Sequence, residues 1–205
     1  MRRIERSHFL ISLLVLYVFL LIWSAIGPLD YRLWFLEAAP AIIGIGLCVL
    51  FYSRQAFTST TYFWCFIGAC LMTIGAHYSY SEVPLFDLIK VKFNSDRNNY
   101  DKIGHFVQGV VVVLISMEII IRKQIIRNPG WINFFSFCVA MTVAAIYEMI
   151  EWLSVVLGPE LTDNFLGMQG YIWDAQSDMF LALLGALSVL LFSKRMRRTI
   201  ESDRS

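Results

Sequence analysis

Six apolar runs alternate with polar connections along the chain, at 9–26, 33–52, 61–80, 103–121, 131–157 and 173–192. A hydrocarbon core of ~30 Å calls for ~20 mostly apolar residues of helix, and a helix satisfies its own backbone inside lipid. The pattern therefore predicts an all-α, polytopic integral membrane bundle of six transmembrane helices, forming one transmembrane domain over 1–205. A basic flank precedes the first run in the manner of a signal sequence, but the run is long enough to span and no A-x-A cleavage site follows. It is expected to remain as the first helix. The longest polar break, 81–100, separates the third run from the fourth.

Ionisable residues interrupt the later runs in pairs. Asp101 and His105 are four apart, Glu148 and Glu151 three apart, and Asp174 and Asp178 four apart, so each pair shares one helix face. At 1.5 Å per residue, His105 sits about 6 Å below Asp101, Asp178 about 8 Å below Trp173 and Glu151 about 9 Å from Leu157. Those depths agree. A charge buried in a bilayer costs at least ~2.5 kcal/mol, so the three pairs are expected to meet in a polar pocket, with Glu148 one turn deeper as its floor.

Plainer roles exist for each group. Asp101 and Asp174 can cap helices and Lys102 can anchor one at the interface, while His105 alone can be a satisfied core histidine. Glu37, Glu82 and His77 read as interfacial. Glu118 is expected to snorkel beside Arg122, its i+4 neighbour. Glu148 and Glu151 resist such a reading, because like charges on one face repel unless a cation, a proton or a basic partner intervenes.

Composition agrees with the pattern: 58% of residues are apolar, 16% are charged, and the mean hydropathy is +0.61. With a net charge of +1, nothing supports a nucleic-acid partner; the expected partner is the lipid bilayer. The placement of charge is more telling. If the N-terminus is cytoplasmic, 12 of the 17 basic residues fall on that side, including Arg2, Arg3, Arg6, Arg122, Lys123, Lys194, Arg195, Arg197 and Arg198. The positive-inside rule then puts both termini in the cytoplasm and the pocket toward the periplasm of a bacterial inner membrane. All four cysteines lie in apolar runs, so no disulfide and no zinc knuckle is expected.

The candidate catalytic set is Asp101, His105, Glu148, Glu151 and Asp178, supported by His77, Glu82, Lys102, Gln169 and Asp174, with Lys102 and Arg97 attracting an anionic group. His105, Glu148, Glu151 and Asp178 offer donors for a divalent metal cation whose identity the mixed set leaves open, since oxygen suits magnesium, calcium or manganese and imidazole suits zinc or iron. Metal-assisted or metal-free acid/base chemistry on a lipid headgroup or lipid-linked envelope intermediate is one reading. A small proton- or cation-coupled transporter is another, and a non-catalytic membrane or assembly protein held together by these charges is a third. The glycine-punctuated stretch 165–174 is expected to form a lip over the pocket.

Several motifs carry a family likeness. His77-Tyr78-Ser79-Tyr80-Ser81-Glu82, Tyr100-Asp101-Lys102-Ile103-Gly104-His105-Phe106, Tyr147-Glu148-Met149-Ile150-Glu151-Trp152 and Gly167-Met168-Gln169-Gly170 leading to Trp173-Asp174-Ala175-Gln176-Ser177-Asp178 closely resemble the YjdF-type family of bacterial inner-membrane proteins. The resemblance implies a multi-pass inner-membrane protein and brings no established activity. A looser likeness, over the last three runs, is to the VanZ-like membrane proteins: Asp101, Lys102, His105 and Phe106 match, as do Glu148, Asp178 and Gly185. Glu151 and Ala182 depart from that pattern, where it has Gln and Asn.

Overall fold

The computed structural model describes residues 3–157 and 169–204. The six apolar runs are helices α1 (Arg3–Ser24), α2 (Tyr31–Leu50), α3 (Ser59–Tyr78), α5 (Tyr100–Arg122), α6 (Pro129–Leu157) and α7 (Asp174–Leu191), all long and apolar enough to cross a membrane. No strand occurs among the described residues. Two further helices depart from the expectation. The break at 81–100 contains a 3-10 turn (Tyr80–Glu82) and α4 (Pro84–Lys92), while the basic tail folds as α8 (Ser193–Arg204). At nine residues, α4 is too short to register as a periodic pattern, although Pro84 in its first turn is an ordinary helix start. The basic run in α8 hides an inward stripe in which Ile200 is buried.

α5 is the axis of the bundle. Its Val110, Val113, Leu114, Met117, Ile120 and Ile121 form one core with Ile132 and Ala140 of α6, Ala186 and Val189 of α7, and Ile200. Against α7 it makes backbone contact: a Cβ on Gly109 would lie 2.0 Å from the Ala182 carbonyl oxygen, and one on Gly185 would lie 1.9 Å from that of Phe106. Gly109, Ala182, Gly185 and Ala186 thus let two spans touch where larger residues would hold them apart. The two helices run in the same direction. Lys102 lies seven residues before Gly109 (109 − 102) and Asp178 seven before Gly185 (185 − 178), so both stand about two turns from the crossing, toward the same end.

At the other end, where the chain termini lie, Glu118 is fully buried and does not snorkel. Its carboxylate accepts from the Thr58 amide (2.9 Å) and Thr58 hydroxyl (2.6 Å), the Thr61 hydroxyl and Arg122 Nε (2.9 Å). The expected Glu118–Arg122 pair is present, but it is sealed in because Thr58, the N-cap of α3, supplies donors that replace water. Arg122 also donates to Asp203 of α8 at 2.7 Å, and Asp203 in turn accepts from Arg6 of α1 at 2.7 Å.

Candidate functional site

The loop before α5 is fixed by a buried asparagine. Asn98 donates to the Val83 carbonyl (3.0 Å) and to Asp87 (2.9 Å), and its side-chain oxygen accepts from the Tyr100 amide (3.1 Å). Gln169 reaches across from the segment before α7, accepting from the Asn98 amide at 2.8 Å and donating to the Asn98 carbonyl at 2.7 Å. At the end of α3, Ser79 takes φ +63 and folds the chain back. The Tyr80 ring then lies so close to α3 that a Cβ on Gly75 would meet it at 2.9 Å.

Those constraints aim Arg97 and the first turn of α5 at α7. Arg97 donates to Asp101 (2.7 Å) and Asp174 (2.6 Å), and its guanidinium lies 5.3 Å from the Tyr171 ring centroid. Burial works against the charged guanidinium, yet Asp101, Asp174 and Asp178 hold its pKa above the usual arginine value. Lys102 donates to Asp174 (2.8 Å), Ser177 (2.7 Å) and Asp178 (2.7 Å), with Asp101 at 3.7 Å. An ammonium has three N–H groups, so this one is fully used. Arg97 and Lys102 therefore neutralise carboxylates of the protein itself, which leaves neither as the anion-attracting group the sequence suggested. Asp101 and Asp174 are not caps either: Asn99 and Trp173 hold those positions, with no side-chain capping bond.

Below this knot the balance changes. His105 Nδ1 and Glu148 Oε1 face each other at 3.6 Å, beyond a hydrogen bond. Each residue is 8% exposed, and among the described residues neither atom has a hydrogen-bond partner. One donor each from His105, Glu148 and Asp178 fall within 4.8 Å of one another, and Glu151, one turn along α6, is buried as well. Next to them a cavity of about 60 Å³ is lined by Met72, Tyr80, Asp101, Gly104, His105, Gln108 and Tyr147. Among the described residues, the Tyr80 hydroxyl and Gln108 Oε1 also have no hydrogen-bond partner. Burial, with Tyr147, Glu37, Tyr100 and Glu151 adding to it, pushes the Tyr80 hydroxyl well above its ordinary pKa, so at neutral pH it keeps its proton and can donate a hydrogen bond.

Asp101, Lys102, His105, Glu148, Asp174 and Asp178 thus converge, Glu151 is buried beside them, and Gln169 braces them through Asn98. His77 does not join. Its Nδ1 lies 3.0 Å from the Ser24 carbonyl and its ring 4.3 Å from that of Trp23, so it ties α3 to the end of α1. Glu82 is exposed on the 3-10 turn. Of the expected lip, residues 165–168 lie outside the described residues, and Gln169 and Gly170 form a turn with φ +44 and +72. Sequence reasoning missed Glu37, which is fully buried on α2 and whose charge bears on Tyr80. An ionisable residue inside an apolar run was the signal for it. Asn98, Tyr80 and Tyr147 carried no such signal.

Six membrane-length helices, three of which meet at a buried cluster of carboxylates and one histidine, define a multi-pass membrane protein. Residues 9–199 match the family described as predicted membrane protein (DUF2238), and the chain belongs to that family. It is similar to the inner membrane protein YjdF of Escherichia coli (strain K12), with 38% identity over 176 residues, covering 86% of this chain and 84% of YjdF. No solved structure matches it.

Proposed function

We propose that the cluster binds a divalent cation through His105, Glu148 and Asp178, with Glu151 as a nearby base, and uses it on a lipid headgroup or lipid-linked envelope intermediate. The observation that carries this reading is the facing pair of unpartnered atoms, His105 Nδ1 and Glu148 Oε1. Their 3.6 Å separation is close to the ~3.4 Å edge of a tetrahedron with ~2.1 Å metal–ligand bonds. Asp178 gives one oxygen to Lys102, and a carboxylate has a second to offer. A cation here would balance Glu148 and Glu151, with which Arg97 and Lys102 form no ion pair among the described residues. Bound metal would act as a Lewis acid and activate water, while Tyr80 supplies a neutral hydroxyl that can donate a hydrogen bond.

The substrate class follows from position. Exposed Trp152, Tyr171, Ile172 and Trp173 rim the same end of the bundle, where an aromatic belt meets lipid headgroups. By the charge asymmetry of the connections, this end faces the periplasm. A transporter would need a polar route onward. From His105 to Glu118 is thirteen residues (118 − 105), about 20 Å along α5, and its buried face there is mainly Val107, Val110, Val113, Leu114 and Met117, which favours a one-sided site.

Elemental analysis of detergent-purified protein, beside folded Glu148→Ala and His105→Ala, tests the reading. The expected result is a stoichiometric metal that both variants lose. Metal-free wild type that also takes up none of the candidate ions on incubation would sink it.

A further inference from the structure

α4 has an apolar face that no other part of the described chain covers. Leu85, Leu88 and Ile89 share one side at helical spacing, Val91 and Phe93 flank them, and all are exposed, Leu88 at 70% and Val91 at 80%. The opposite side is engaged: the Phe86 ring lies 5.3 Å from that of Tyr100, and Asp87 accepts from Asn98. Such a face is costly in water, at roughly 25 cal/mol per Å² of apolar surface.

The neighbours of α4 decide what covers it. The helix lies between Tyr78, where α3 ends, and Tyr100, where α5 begins. Both of its ends are therefore held at the level where membrane-crossing helices leave the apolar core. Lys90 and Lys92 stand in its last turn, where lysine stems can lie along apolar surface while the ammonium reaches phosphate.

We propose that α4 is an interfacial helix, with Leu85, Leu88 and Val91 seated in the headgroup–acyl boundary of the bilayer. Through Asp87 to Asn98, and Asn98 to Gln169, that seat steadies the peptide carrying Arg97 above the carboxylates. The inference does not depend on a bound cation, so it can stand or fall separately from the proposed chemistry.

Photo-crosslinking of the full chain in native membranes tests it, with p-benzoylphenylalanine in place of Leu88 or of Val91 and, as control, of the exposed loop residue Asp96. The probe positions are exposed, so the bulky side chain displaces nothing in the bundle. After irradiation and proteolysis, the expected result is a mass shift of one phospholipid on the α4 peptide for both positions and none for the control. Peptides without a lipid adduct at both positions, or cross-links only to a partner protein or a second copy of the chain, would overturn the proposal.

Discussion

The two ends of α5 each bury a glutamate environment, and they solve it differently. At the terminal end, Glu118 is surrounded by donors from Thr58, Thr61 and Arg122. At the other, Glu148 on α6 faces His105 of α5 across 3.6 Å, and neither facing atom has a hydrogen-bond partner among the described residues. Burying a polar group without partners costs free energy that a satisfied group avoids. Glu118 is therefore read as architecture, a clamp on the start of α3. The His105–Glu148 pair adds nothing comparable to stability, and the binding role proposed above would account for such a pair.

Stability measurements can break or sharpen this contrast. The largest effect is expected from Glu118→Ala, which strands Arg122 Nε and the buried Thr58 and Thr61 donors and should cost ~3–5 kcal/mol, read as a collapse of Tm or of folded yield in detergent. Wild-type stability in that variant would remove the distinction. Lys102→Met should come next, at about 3 kcal/mol, because Asp178 loses its ammonium while Arg97 still holds Asp101 and Asp174. If the cluster binds a cation, adding that ion at a hundred times its Kd should stabilise wild type by ~2.7 kcal/mol. Thermal unfolding with and without chelator would register the shift, and Glu148→Gln should abolish it. The smallest change is assigned to Glu148→Gln without metal: under ~1 kcal/mol in either direction, since no hydrogen bond to Oε1 is lost. A large loss of Tm there would move Glu148 into the same class as Glu118.

The sequence made depth legible and left azimuth obscure. Counting residues from the ends of the apolar runs was enough to bring His105, Asp178 and Glu151 to about one level, because helical rise is fixed. It set Glu148 a turn deeper, whereas the Glu148 carboxylate faces His105 at 3.6 Å. The direction in which a side chain points across the bundle depends on partners in other helices. Glu37 and Glu118 were each given a surface role for that reason, and both are fully buried. Lys102 looked available to a ligand until the close approach of Gly109 to Ala182, and of Gly185 to Phe106, set α7 beside it. His77 carried the same chemical promise as His105, and only the packing of α3 on Trp23 and Ser24 separates the two. α8 was hidden by its own charge, since a tail rich in arginine resembles an unfolded flank until Ile200 and Asp203 find their places.

The backbone contact that Gly109 and Gly185 allow between α5 and α7 has an electrostatic consequence as well. Because α5 and α7 run the same way at their closest approach, their N-termini open side by side onto the carboxylates, with Asp101 and Asp174 in the first turns. Each helix start carries roughly half a positive charge from its aligned peptide dipoles, and α6, whose C-terminal half borders the site, offsets part of it. The backbone therefore contributes a positive field to the acidic cluster that no side-chain substitution removes and no change of pH titrates.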